Sequence, residues 1–163
     1  MYLLAITAAE RSLDFSISYF VPDRLTIRAL TDARGRGVRV RIIVPGRRID
    51  QWLVRMASHA IWGPLLRAGV EIYEYQPTMC HCKAMIVDRR MVSVGSTNFD
   101  DRSFRLNDEA NLNVYDDNFA DSMRAVFEKD LLSARGATLA RWQPRARTDR
   151  LIGEFAMLFR SQL

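Results

Sequence analysis

A histidine and a lysine two residues apart, His81 and Lys83, are followed by Asp88 and then by Gly95, Ser96 and Asn98. In an extended segment the side-chain period is two, so His81 and Lys83 point to one face while Cys82, Ala84 and Ile86 point to the opposite, core-facing side. That arrangement brings a nucleophile and a cation to one phosphate. Gly95 allows close backbone approach, and Ser96 and Asn98 add short polar groups for the non-bridging oxygens. The second histidine, His59, lies in a helical stretch with no lysine two residues on and is read as structural. Cys80 and Cys82 flank His81, but a bridge between such close neighbours in an extended segment is strained, so both are expected as reduced thiols. With only one other histidine and no second ligand cluster, no metal and no cofactor are expected.

The elements that must position these residues follow from periodicity. Residues 2–11 read as a short amphipathic helix and 14–20 alternate as a strand does. A helix capped by Asp23 runs to the glycines at 35 and 37, and the β-rich run 38–44 follows. Residues 50–67 have helical period, with Gly63-Pro64 expected to kink or divide the helix. Next comes the β-rich run 70–75. Residues 81–87 and 90–94 form two short strands joined at Asp88-Arg89, with a polar loop and a further strand at 109–115 behind them. Residues 118–133 are the clearest helix, and the tail is helical over 149–163. Strand, helix and strand in succession predict an α/β fold, a mixed sheet flanked by helices on both faces. One domain, 1–163, carries the whole pattern, without repeat or linker.

The 163 residues are 48% hydrophobic and 26% charged, an ordinary folded composition that excludes disordered and fibrous classes. Such a chain buries roughly two thirds of the surface its unfolded form exposes, enough to fold without metal or disulfide. The net charge of +5 comes from arginine far more than lysine, which suits phosphate or anionic-surface partners. The apolar opening at residues 1–6 lacks a basic leader and soon reaches Glu10 and Arg11, so neither a signal peptide nor a transmembrane segment is expected.

The run from His81 through Lys83, Asp88, Gly95 and Ser96 to Asn98 is the H-x-K-x4-D-x6-G-S-x-N pattern of the phospholipase D superfamily, which the chain resembles. The resemblance extends to Tyr19-Phe20-Val21-Pro22-Asp23, to residues 68–75 and 96–104, to Asn107-Asp108-Glu109, and to a tail from Trp142 to Leu163. Together these look like the carboxyl-terminal half of bacterial cardiolipin synthases. Cys82 departs from the pattern, standing where the family has a small residue; a buried thiol replaces one at little cost.

What the resemblance implies is a metal-independent displacement. One histidine attacks phosphorus to form a phosphohistidine, and a second protonates the leaving alcohol and then deprotonates the acceptor. Lys83 and Asn98, with Ser96, stabilise the equatorial oxygens. By the same resemblance Glu109 hydrogen-bonds the catalytic imidazole, with Asp108 the alternative if the register slips, and Asp88 ties down its own turn. Arg102 and Arg105 meet lipid headgroups or remain solvated, Arg102 with a structural alternative.

No second H-x-K pair occurs, so the chain carries half a site. The other half comes from the same longer chain or from a homodimer mate. The implied activity is a phosphatidyl transfer with phosphatidylglycerol as phospholipid substrate, at an anionic membrane surface, the intact protein being at the bacterial cytoplasmic membrane. Its alternatives are a phospholipase D-type hydrolase, a single-motif homodimeric endonuclease with nucleic acid as partner, and an incomplete lipid- or nucleic-acid-binding fragment.

Overall fold

The computed structural model describes residues 1–143 and 147–158. In chain order the elements are α1 (Tyr2–Ala8), β1 (Ser12–Ile17), α2 (Arg24–Gly35), β2 (Arg39–Pro45), α3 (Trp52–Arg67), β3 (Glu71–Tyr75), β4 (Lys83–Val87), β5 (Met91–Gly95), α4 (Asp101–Arg105), β6 (Asn111–Tyr115), α5 (Asp117–Leu132), β7 (Ala134–Gly136), α6 (Leu139–Trp142) and α7 (Arg147–Leu158). Among the described residues the strands form one seven-stranded sheet in the order β6-β5-β4-β1-β2-β3-β7. β1 and β2, and β2 and β3, pair in parallel; the remaining neighbours are antiparallel. The expected mixed sheet with helices on both faces is what the chain forms.

Strand alternation divides the core between the two faces. Leu13, Phe15 and Ile17 of β1 and Val40, Ile42 and Val44 of β2 pack on the side covered by α1, α2 and α3. Ile43, Ile86 and Val92 pack on the other, against Ala120 and Phe127 of α5. That second face also buries an ion pair. Arg41 donates to both oxygens of Asp14, at 2.7 and 2.9 Å, and to Glu128 of α5 at 2.9 and 3.1 Å, its guanidinium lying 4.8 Å from the Phe127 ring centre. Asp14 and Arg41 are both buried, and partnership in all directions is what makes such burial tolerable.

Helix starts follow the caps. The Asp23 carboxylate accepts from the Thr26 N–H at 2.8 Å, and Asp116 accepts from Phe119 N–H at 2.7 Å. α3 is not divided at Gly63-Pro64. Pro64 lies in the last turn, where its missing N–H removes a single helical bond, and Gly63 leaves room for the ring of Trp142. α4 forms inside the stretch expected as a polar loop, capped by Asp100, whose carboxylate accepts from Ser103 N–H at 2.7 Å. β7, three residues long, carried no recognisable pattern and is held by its pairing with β3. The expected tail helix appears as α7, and residues 159–163 lie outside the described residues. Among the described residues no helix is long and apolar enough to cross a membrane.

Candidate active site

β4 starts at Lys83, so His81 stands just ahead of the strand rather than within it. β1 and β4 are antiparallel with Ile17 opposite Lys83, which brings Ser18 beside Cys82. The Ser18 N–H and Oγ both donate to the Cys82 carbonyl at 2.9 Å, locking the main chain between His81 and Lys83. Lys83 Nζ then donates to Ser18 Oγ at 3.0 Å and lies 3.1 Å from Nδ1 and 3.2 Å from Nε2 of His81. Burial pushes the Lys83 ammonium below the ordinary lysine range.

Tyr19 stands beside the pair. Its ring meets His81 edge-on at 6.1 Å between centres and lies 5.9 Å from Lys83 Nζ, and its hydroxyl donates to the Asp50 carboxylate at 2.7 and 2.8 Å. Burial, helped by that hydrogen bond, pushes the phenol well above its usual range and keeps it protonated.

From β5 comes the polar loop. His81, Lys83, Gly95, Ser96 and Asn98 line one open cavity of about 400 Å3. A side chain at 95 would drive into the backbone of Ala110 and Asn111, with Asn111 Cα only 2.7 Å away, so glycine is required for β6 to pair there. Ser96 Oγ accepts from Ala110 N–H at 3.0 Å and so braces the loop against β6. Asn98 is carried by Phe99, which is fully buried; Val21 N–H donates to the Phe99 carbonyl at 2.7 Å and Phe99 N–H to that of Tyr19 at 3.1 Å. Asn98 Oδ1 is buried with no hydrogen-bond partner among the described residues. The residue as a whole lines the cavity, so its amide is within the same polar setting as His81 and Lys83.

Three expectations need correction. Cys82 is exposed, not turned to the core, because the strand geometry begins only at Lys83; Cys80 is the buried thiol. Glu109 does not hydrogen-bond His81 of its own chain: its carboxylate accepts from Ser103 Oγ at 3.1 Å and Asn107 Nδ2 at 3.2 Å, partners supplied by its own segment. Burial raises its pKa, but hydrogen bonds from Ser96, Asn107 and Ser103 outweigh that and hold it below the usual range, with Lys83 adding attraction. Asp88 ties down more than its own turn, since at the far end of β4 its carboxylate accepts from the N–H groups of Glu10, Arg11 and Ser12 at 2.9, 2.7 and 2.8 Å.

The family described as cardiolipin synthase, PLD-like domain matches residues 2–131. The chain belongs to this family. Cardiolipin synthase A of Erwinia tasmaniensis is 38% identical over 96% of this chain and 32% of its own length, and the cardiolipin synthase of a Geobacillus species is 38% identical over 97% and 31%. The chain thus spans about a third of the length of the curated relatives it matches. Among solved structures, a phospholipase D family member, Nuc from Salmonella typhimurium, superposes with a TM-score of 0.73 at 23% identity, over 83% of this chain and 88% of that one. Phosphatidylserine synthase of Haemophilus influenzae gives 0.74 at 16% identity, over 99% and 44%. These likenesses establish the phospholipase D fold.

Within this PLD-like domain, sequence reasoning did not single out Ser18 or Asp50. Ser18 had a weak signal, the alternation over residues 14–20 that carries Asp14, Ser16 and Ser18 as its polar set; Asp50 had none. Among the described residues no group of three or more His, Cys, Asp or Glu side chains is arranged to hold a metal ion. Arg102 lines the neighbouring cavity with Tyr19, Asn98 and Asp100, donating to Asn107 Oδ1 at 3.3 Å, while Arg105 faces a separate groove beside Glu109.

Proposed function

We propose that this chain supplies one half of the active site of a phosphatidyltransferase of cardiolipin synthase type, acting through a phosphohistidine. The observation that carries the reading is the convergence of His81, Lys83, Ser96 and Asn98 on one open cavity. Three groups there fit one phosphoryl centre: an imidazole nitrogen, a cation and a side-chain amide.

In the first step an imidazole nitrogen forms a bond to phosphorus as the bond from phosphorus to the leaving glycerol oxygen breaks, that oxygen taking a proton from the second histidine. In the second, an acceptor alcohol loses its proton to the same group, bonds phosphorus and breaks the N–P bond. Lys83 and Asn98 offset the charge on the equatorial oxygens, a preorganised contribution of the kind worth about 3–4 kcal/mol per donor. His59 is occupied with Glu74, 3.1 Å away, so the second histidine comes from another phospholipase D-like half. That half is part of a longer chain or of a second copy. The phospholipid substrate is phosphatidylglycerol, met at an anionic membrane surface of the bacterial cytoplasmic membrane.

The test is incubation of the protein with labelled phosphatidylglycerol. Appearance of a dimeric phospholipid, together with an acid-labile labelled histidine that is absent from His81→Ala, is the expected result. Phosphatidic acid without dimeric lipid would move the assignment to hydrolysis. A second reading, a homodimeric phosphodiesterase acting on nucleic acid, is favoured by the match to 88% of the Nuc chain and by the sequence pI of 9.7. Plasmid nicking in EDTA that vanishes in His81→Ala would select it.

A further inference from the structure

All three tryptophans of the chain line one cavity, and it is not the one that holds His81. This second cavity has a volume of about 440 Å3, within the range of small-molecule sites. It opens where α3, the end of β3, β7 and α6 meet. Trp62 forms its buried wall, with its indole N–H donating to Ser58 Oγ at 3.1 Å, and Trp142 a second wall, donating to the His59 carbonyl at 2.7 Å. Trp52, 54% exposed, stands at the rim.

The charge inside is lopsided. Among the described residues Glu74 is the only carboxylate in the lining, and it is already matched: Arg55 donates to it at 2.6 Å and His59 Nε2 lies 3.1 Å away. Burial raises the pKa of Glu74, but His59 and Arg55 outweigh this and keep it ionised. Arg47, Arg135 and Arg141 also line the cavity, and none of them makes an ion pair among the described residues. Arg135 does sit opposite Glu74 in the β3–β7 ladder without bonding to it. Arg55 Nε is buried with no hydrogen-bond partner among the described residues. Three guanidinium forks that make no ion pair among the described residues, around an indole-walled hollow, match an anion joined to an apolar or polyol body, since the forks fit phosphate oxygens and the indoles offer flat, weakly polar surface.

α3 separates this cavity from the catalytic one. Gln51 and Val54 face the hollow that contains Asn98 and Tyr19, while Trp52, Arg55 and His59 face the second cavity. We infer that the cavity between α3 and β7 is a second binding site, for a glycerophosphate headgroup held by Arg47, Arg135 and Arg141 against the tryptophans. The anion site stands on its own geometry; only the choice of a lipid headgroup as its source rests on the proposed function.

The tryptophans make the site self-reporting. Intrinsic fluorescence of the 163-residue chain is followed during titration with sn-glycerol 3-phosphate, with phosphatidylglycerol vesicles, and with phosphatidylcholine vesicles, whose headgroup has no net charge. A saturable change with either anionic probe, absent with phosphatidylcholine and weakened at least tenfold in Arg47→Glu/Arg135→Glu, is expected. A response to glycerophosphate matching that to vesicles assigns the site to the free headgroup; a response confined to vesicles assigns it to the bilayer. Both residues are exposed and make no ion pair among the described residues; because Arg135→Glu sets a carboxylate opposite Glu74, Arg47→Gln/Arg135→Gln is measured beside it and is expected to weaken the change in the same direction, with circular dichroism checking the fold of both. No fluorescence change, an undiminished change in the double variant, or loss of the change in His81→Ala each overturns the inference. A tighter response to a single-stranded oligonucleotide overturns the lipid assignment. The catalytic reading fails separately, through absence of turnover while the fluorescence response persists.

Discussion

Lys83 Nζ lies almost equidistant from the two ring nitrogens of His81, at 3.1 and 3.2 Å, and is held there by Ser18 Oγ at 3.0 Å. On the proposed reading, the ammonium so placed shares with the imidazole whatever phosphoryl group binds there. Removing it as Lys83→Met should lower kcat by about 10²–10³-fold, the usual effect of losing one transition-state donor. Single-turnover kinetics on phosphatidylglycerol vesicles measure this. Ser18→Ala should cost less, since it loosens the lysine without deleting its charge.

The pH profile has a definite sign. Burial lowers the pKa of Lys83, so the ammonium loses its proton at a pH below the value of about 10.4 of a free lysine. Activity that needs the charged form should fall on an alkaline limb below that value. Lys83→Arg, whose guanidinium stays protonated, should move the limb upward even if the maximum rate drops. A limb unmoved by the arginine would show that another group titrates.

Asp88 acts on stability rather than chemistry. Its carboxylate gathers the N–H groups of Glu10, Arg11 and Ser12, and although burial opposes ionisation, these bonds prevail and keep its pKa below the ordinary aspartate value. A depressed carboxylate contributes stability that is fully present above the unfolded value of about 3.9 and is lost as pH falls through the folded one. Asp88→Ala should lower unfolding free energy by about 1–3 kcal/mol at pH 7. Urea denaturation should show the gap between the two proteins narrowing below about pH 4.

Asp14 and Arg41 give a larger effect. Asp14→Ala leaves the buried Arg41 with Glu128 alone, and breaking such a pair costs about 3–5 kcal/mol. Thermal denaturation should register the loss. Glu128→Gln, which touches only the exposed arm of the network, should cost clearly less.

Cys82 is an exposed thiol one residue from His81, and the hydrogen bond from Cys80 lowers its pKa to about 7, burial opposing and the Lys83 charge assisting. Iodoacetamide should label Cys82 before Cys80, at a rate rising through about pH 7. Cys80→Ala should shift that midpoint toward the ordinary thiol value of about 8.5, as peptide mass spectrometry would report.

Much of the fold was legible because its cues are local. Asp23 and the glycines bracket α2, alternation marks β1, and Asp88-Arg89 join β4 to β5 through a two-residue turn in which both φ angles are positive, 52° and 59°. Where the expectation failed, the deciding contact was distant. β7 exists because β3 offers an open edge, and α3 continues through Pro64 with Trp142, far along the chain, packed on Gly63. The exposure of Cys82 turned on the exact residue at which β4 begins, and strand ends are set by pairing with a neighbour, here Ile17 against Lys83.

The sequence by itself carried the motif: a histidine, a lysine two residues on, and a Gly-Ser-x-Asn turn are close enough in the chain for spacing alone to mark the family and its candidate site. Tertiary structure decided which groups surround them. Ser18 reaches Lys83 and Tyr19 reaches His81 only because β1 lies antiparallel to β4; Glu109 is drawn to Ser103 and Asn107 instead of the imidazole of its own chain. Tryptophans at 52, 62 and 142 and arginines at 47, 135 and 141 meet in one cavity because β7 folds back beside β3. Spacing carries information over a turn or two of backbone, whereas contacts between residues tens of positions apart arise only when the sheet and its covering helices pack.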